Sequence, residues 1–235
     1  MTEPTWQTPD GAAQLYLGDC LEVMPGLGKV DAVVTDPPYG IGWCFSGQGS
    51  GTRAQGGKES VTKGKRIRGD TKEFNPSPFM NYKSVILWGF HHYPQRLHRG
   101  TVLIWIKKYP NAYGTFLSDA DLAWMNSGCG VYISETINPA SFQKEKIHPT
   151  QKPIVLMAWC LSFIPKAEII LDPYMGSGTT GCACMQLGRR FIGIEIEKKY
   201  FEIAKDRIQT AWEDAQNDLF KNQQQEILEQ GSIFE

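Results

Sequence analysis

The sequence predicts a doubly wound α/β fold with a mostly parallel sheet, and three observations predict it. Short apolar runs recur at 15–17, 30–34, 85–88, 102–106, 168–171 and 191–194. Several are nearly continuous in apolar side chains, as expected of strands covered on both faces. Helical patterns sit between them, the alternation that builds βαβ units. At 235 residues, one α/β domain is the default reading. We place it at 1–221, followed by a polar tail at 222–235.

Each element has a local reason. The run at 30–34, in "VDAVVTDPPYG", stops at Asp36-Pro37-Pro38-Tyr39. Two prolines cannot donate ladder hydrogen bonds and hold the chain stiff. The plain reading is a strand-ending turn. The sharper one is a rigid mount for an acceptor and a stacking ring at the carboxyl edge of a sheet, where open α/β sheets place ligands. In "TQKPIVLMAWCLSFI", Pro153 is placed like a first-turn proline. A helix is expected over 179–187, and an amphipathic one over 198–219 with Tyr200, Ile203, Ala204, Ile208 and Trp212 along one stripe. Residues 45–75 are basic and glycine-rich without apolar periodicity, too long for an ordinary connection. The Gln-rich tail reads as frayed or extended.

Composition narrows the class. The six cysteines form no C-x-x-C pair, which favours a reduced, cytoplasmic chain without structural zinc. The opening residues carry no apolar run with basic flanks, so no secretory signal is expected. No stretch approaches the ~20 apolar residues of a membrane span. His91 and His92 lack a third ligand at a recognisable spacing, so no metal site is expected. Net charge is −1, yet Arg53, Lys58, Lys63, Lys65, Arg66 and Arg68 crowd one segment that could meet a polyanion. A solvated loop is the plainer reading of that charge run.

The strongest chemical signature is "EIILDPYMGSGTTGCACMQLGRRFIGIEIEKKYFEIA". A strand ends in Asp172-Pro173, a turn with Gly176 and Gly178 follows, then a helix, then a strand ending in Glu195. Glycines let backbone approach a ligand, and the helix start favours a carboxylate or phosphate. Glu195 is placed to hold the two hydroxyls of a ribose. The third glycine of a dinucleotide fingerprint is absent, which favours a nucleoside without pyrophosphate.

Together, "DPPYG", "DPYMGSGTT" and "HPTQKP" resemble the S-adenosylmethionine-dependent amino methyltransferases of DNA, and the motif order resembles their beta group. "LGDCLEVM", "VILWGFHHY", "TVLIWIKK" and "LSDADLAWMNSG" fall where that family has its other strands. The resemblance covers roughly 15–207. It implies a Rossmann-like methyltransferase sheet, circularly ordered with the catalytic motif before the cofactor loop. It also implies a catalytic group of Asp36, Pro37, Pro38 and Tyr39, with Asp36 and the Pro37 carbonyl accepting from an exocyclic amino group and Tyr39 stacking on an extruded base.

For the cofactor, S-adenosylmethionine, the resemblance implies a loop of Asp172, Tyr174, Gly176, Ser177 and Gly178. Thr179 and Thr180 would lie near the methionine carboxylate, Glu195 at the ribose, and Asp19 with Cys20 at the adenine end. Lys152 resembles the family's lysine beside the cofactor, or else binds a backbone carbonyl in a first helical turn. The DPP form favours adenine N6 over cytosine N4.

The chain departs from the family pattern twice. Tyr174 stands where Phe is usual, and only a short stretch, 126–147, occupies the usual place of a recognition region. A short or relaxed target is therefore expected, with Arg53, Lys58, Lys63, Lys65, Arg66 and Arg68 gripping DNA phosphates. By analogy a homodimer would supply missing contacts. The segment Gln230-Gly231-Ser232-Ile233-Phe234 resembles peptides that dock on bacterial sliding clamps, against the plainer reading of a frayed terminus. An orphan or phage-like enzyme of DNA methylation, outside or inside a restriction-modification pair, is the leading reading. Cytosine N4 methylation, RNA adenine methylation and a catalytically silent nucleic-acid-binding module are the alternatives.

Overall fold

The structure, a computed structural model, describes residues 2–42, 70–115, 118–135 and 151–231, with side chains through 218. The six basic residues from Arg53 to Arg68 and most of the expected clamp peptide lie outside the described residues.

Among the described residues, nine strands form one sheet, in the order β1-β2-β9-β8-β3-β4-β6-β5-β7. They are β1 (Trp6–Gln7), β2 (Ala13–Leu17), β3 (Ala32–Thr35), β4 (Ser84–Trp88), β5 (Thr101–Ile106), β6 (Ala120–Met125), β7 (Val131–Ser134), β8 (Ile169–Asp172) and β9 (Arg190–Glu195). From β2 through β4 every pairing is parallel. Antiparallel partners enter at β1 and where β6 inserts between β4 and β5. Among the described residues the α-helices are α1 (Cys20–Val23), α2 (Ile154–Ser162), α3 (Thr179–Gln186) and α4 (Lys198–Gly231).

The central strands are buried on both faces, which explains their continuous apolar runs. Ala32 and Val34 of β3 and Ile86 and Trp88 of β4 point to a core shared with α2, α3 and α4. Val33, Val85 and Leu87 point the other way, onto Cys20, Phe74, Phe79 and Tyr93. Side chains alternate faces along a strand, so each strand serves two cores.

The chain winds outward from the middle. From β8 it passes through α3 to β9 on one side, and from β3 to β4 on the other. β3 and β8 are parallel neighbours, with Val33 opposite Leu171. Where winding reverses, the carboxyl ends of the two strands open a crevice, the usual ligand position of such sheets. Asp36 follows β3 and Asp172 ends β8, so both motifs meet there.

Three elements differ from the sequence reading. Pro153 caps α2 from outside its first turn. β7 forms inside the stretch expected to hold only a reduced recognition region. The helix expected to close near 219 continues to Gly231. The Gln, Glu, Lys and Leu residues of that segment are strong helix formers even without an apolar stripe. Among the described residues, no helix is long and apolar enough to cross a membrane.

Candidate active site

The site is built along strand ends. On the β8–β9 side, Asp172 is buried and its carboxylate is used within the protein. Oδ1 accepts from the Thr35 hydroxyl at 2.7 Å and the Tyr174 N–H at 3.1 Å, and Oδ2 accepts from the Thr180 hydroxyl at 2.6 Å. Burial pushes its pKa up to about 6 against the pull of those bonds. Asp172 thus ties β3, β8 and the start of α3 into one turn.

Gly178 caps α3 in the left-handed region at φ 78°. A Cβ there would lie 3.0 Å from the Cβ of Ala204 in α4, so glycine permits both the turn and the close helix packing. Arg207 of α4 clamps the same turn. Its guanidinium donates to the Ser177 carbonyl, to the Ser177 hydroxyl at 3.0 Å and to the Thr179 hydroxyl at 3.4 Å. Ser177, Thr179 and Thr180 are all buried.

Glu195 closes β9 facing this turn. Oε2 accepts from the Gly176 N–H at 3.0 Å and Oε1 from the Glu197 N–H at 2.8 Å. Burial raises its pKa to about 7, and the two backbone bonds only partly offset it. At the next strand end, Asp19 caps α1 by accepting from the Leu21 N–H at 2.8 Å, and Cys20 is buried behind it. The Tyr174 hydroxyl is hydrogen-bonded to the Cys20 thiol, and the Tyr174 ring meets Phe74 and Phe79 edge-on at 6.0 and 6.1 Å. The hydroxyl that departs from the family pattern therefore has a local partner.

On the β3–β4 side the construction is different. Oδ1 of Asp36 accepts from the Tyr39 hydroxyl, and the Lys152 ammonium lies 2.5 Å from Oδ2. Lys152 is only 5% exposed, and its Nζ sits 4.8 Å from the centre of the Trp88 ring, a cation–π placement. Lys152 thus faces the Asp36 carboxylate. Burial and the Asp36 charge push the Tyr39 phenol well above its ordinary pKa, so it stays a donor.

The Tyr39 ring is held from two directions. His92, on the short turn after β4, stacks on it with centroids 4.8 Å apart and planes 23° apart. Gly89 has φ 70°, and a Cβ on it would lie 2.0 Å from Tyr39 Cε1. Behind the tyrosine, the Gly40 N–H donates to Asp70 Oδ1 at 2.7 Å and the Gly42 N–H to the Asp70 carbonyl at 2.7 Å. Pro37 and Pro38 thus lead into a turn fastened at both ends.

The structure gathers the expected residues into two adjoining groups. Asp36, Pro37, Pro38, Tyr39 and Lys152 stand beside β3. Asp172, Tyr174, Gly176, Ser177, Gly178, Thr179, Thr180, Glu195, Asp19 and Cys20 run across the ends of β8, β9 and β2. Sequence reasoning missed Asp70, Gly89 and Arg207. Gly89 sits in the quoted "VILWGFHHY", but its service to Tyr39 is a contact across fifty residues of chain. Arg207 carries no local signal. Among the described residues, no cluster of metal-binding side chains occurs.

Residues 96–206 match the model of the DNA methylases termed N6_N4_Mtase. Over these residues, just under half of the chain, the sequence is similar to the N6/N4 DNA methylases. The Type II methyltransferase M2.DpnII of Streptococcus pneumoniae is 51% identical over 63 residues, 26% of this chain and 24% of that protein. M2.LlaDCHI of Lactococcus lactis subsp. cremoris is 52% identical over 62 residues, 26% of this chain and 23% of its own length. The matched stretch thus spans about a quarter of these curated relatives. M1.HpyAVI, solved with SAM, superposes with a TM-score of 0.53 at 26% identity over 83% of this chain and 99% of that one. The cytosine-N4-specific PvuII methyltransferase gives 0.53 at 14% identity, over 92% of this chain and 96% of that one, a likeness of fold alone.

Proposed function

We propose that this chain transfers a methyl group from S-adenosylmethionine to the N6 amino group of an adenine flipped out of DNA. The observation that carries the reading is the meeting of Asp36 and Asp172 at the crevice between β3 and β8, in a chain whose residues 96–206 match the DNA methylase model.

The residues present fit the cofactor. Glu195 offers a poorly solvated carboxylate to a pair of ribose hydroxyls, the α3 start offers backbone donors to a carboxylate, and Tyr174 with Cys20 walls the far end. When bound, S-adenosylmethionine supplies an electrophilic methyl on a sulfonium.

The chain's part is positioning and electrostatics. The adenine amino group is a poor nucleophile because its lone pair is delocalised into the ring. Hydrogen bonds from its N–H groups to Asp36 and the Pro37 carbonyl favour a pyramidal nitrogen with a localised pair. Held in this way by Asp36 and the Pro37 carbonyl, the amino nitrogen would be presented to the methyl group that the bound cofactor would supply. The Tyr39 ring offers the base a stacking surface worth ~1–3 kcal/mol. The Asp-Pro-Pro form supports adenine over cytosine N4 by resemblance.

For DNA, the turn after Tyr39 supports a role for the segment that it opens. Residues 42 and 70 are hydrogen-bonded to each other beside the site, so the basic segment between them starts and ends there. We infer that Arg53, Lys58, Lys63, Lys65, Arg66 and Arg68 grip phosphates. Deleting residues 49–69 should weaken DNA binding and flatten its salt dependence, and unchanged values would overturn this. A homodimer and a clamp contact through Gln230 and Phe234 stay proposals that sedimentation and a pull-down with purified clamp would test.

The function itself is tested by incubating the protein with labelled S-adenosylmethionine and unmethylated genomic DNA, then identifying the labelled nucleoside. N6-methyladenine is expected. N4-methylcytosine would keep the mechanism and change the base, and no labelled DNA would overturn the reading.

A further inference from the structure

The charges on the target side continue past Lys152. Four neighbouring strands, β3-β4-β6-β5, bring their ends to one edge of the sheet, because β6 runs antiparallel to its neighbours and starts where they finish. Asp36 follows β3, Trp88 ends β4 with Lys152 over its ring, Asp121 opens β6, and Lys107 follows β5.

Register puts these groups on one face. Trp88 pairs with Ala123 and Asp121 with Trp105, while Asp121 and Lys107 lie two residues from Ala123 and Trp105 respectively. Side chains two apart share a face. It is the face covered by α2, which Lys152 precedes. Asp121 is the diagonal neighbour of Trp88 on the adjacent strand, about 7–8 Å away, within reach of the long Lys152 side chain that lies over the Trp88 ring. Lys107 Nζ is 2.7 Å from Asp121 Oδ1. Signs therefore alternate across the edge: Asp36, Lys152, Asp121, Lys107.

We propose that Lys107 and Asp121 are positioning residues for methyl transfer, holding the Lys152 ammonium against Asp36 so that this carboxylate presents one oxygen to the target amino group. This rests on the proposed reaction. Asp121 is half-buried, and its carboxyl lies below its ordinary pKa although burial alone would raise it. The charge of Lys152, and the charge and hydrogen bond of Lys107, together lower it. Asp121 therefore lies within the field of both ammonium groups, on the sheet face that carries Lys152. The chain also holds its own control. Lys108 and Asp119 form a second pair across the same hairpin, 2.7 Å apart, outside this line of charges.

The test is a double-mutant cycle on kcat with purified full-length protein and a methylatable DNA. Asp121→Asn and Lys107→Met should each lower kcat about tenfold, with the KM for S-adenosylmethionine unchanged. Asp121→Glu should recover most of the loss, and Lys108→Met should leave kcat at the wild-type level. In a Lys152→Met background, Asp121→Asn should cost little more, because its effect passes through Lys152. Fully multiplicative losses, or an equal loss from Lys108→Met, would overturn the proposal and make the pair a hairpin brace. Methyl transfer by the wild-type protein is the entry condition, so its absence would count against the reaction and not against the positioning role.

Discussion

The two halves of the crevice solve different problems. Around β8 and β9 the site is made by backbone: a glycine turn, a helix start, and carboxylates saturated by neighbouring N–H and hydroxyl groups. Beside β3 it is made by side chains: a carboxylate between a phenol and an ammonium, and a ring stacked on a histidine. A ligand common to many turnovers can be held by a preformed cradle. A target base that must enter from a duplex needs acceptors and rings that can exchange partners. The difference teaches that damage to one half should leave the other working.

The largest expected effect breaks the target half alone. Asp36→Ala should lower kcat by roughly 100- to 1,000-fold, since it removes the acceptor proposed to act in the transition state. Equal loss from Asp36→Ala and from a conservative surface change would erase the distinction. Gly89→Ala comes next. Its new methyl would press on the Tyr39 ring from a left-handed backbone position, costing about 1–3 kcal/mol of stability. Misplacing Tyr39 should also lower kcat about 100-fold. Thermal unfolding and turnover measured on one sample would show both.

Glu195 sharpens the comparison from the other side. Glu195→Gln should raise the Kd for S-adenosylmethionine by about 10- to 100-fold, the range for losing a hydrogen-bond partner that carries charge. The same residue gives the pH dependence. Its pKa lies at about 7 because of burial, and in the proposed complex ribose hydroxyls would donate to the ionised form. Cofactor affinity should therefore fall about tenfold between about pH 8 and about pH 6. Fold stability runs the opposite way. Glu195 and Asp172 have folded pKa values raised to about 7 and about 6, so their contribution is present in acid and lost as pH rises through those values. Calorimetric titrations across pH would separate the two trends. The smallest effect is Tyr174→Phe, which deletes the bond to Cys20. It should lower Tm by about 2–4 °C, for a net bond of about 1 kcal/mol, with kcat unchanged.

How much of this was legible follows the same division. The cofactor half is local in sequence: Asp172 to Glu195 is one βαβ unit, and its glycines and strand-end acids can be read in a single pass. Strands β2, β3, β4, β5, β8 and β9 were visible because burial on two faces forces apolar runs. β7 was not, since a four-residue edge strand with three exposed side chains carries no such pattern. In the target half, Asp36 and Tyr39 were marked by the prolines between them. Lys152 was marked only by its motif, which did not say that its ammonium would face Asp36 from 116 residues away. Asp70, Gly89 and Arg207 act at long range, where spacing carries no information about contact.

The separation of the two halves is tested most directly by titrating Asp36→Ala with S-adenosylmethionine in a calorimeter. The variant should bind the cofactor with a Kd within about twofold of wild type while its kcat falls by roughly 100- to 1,000-fold. A tenfold or greater loss of cofactor affinity would contradict it, because Asp36 would then belong to the cradle and not to the target base.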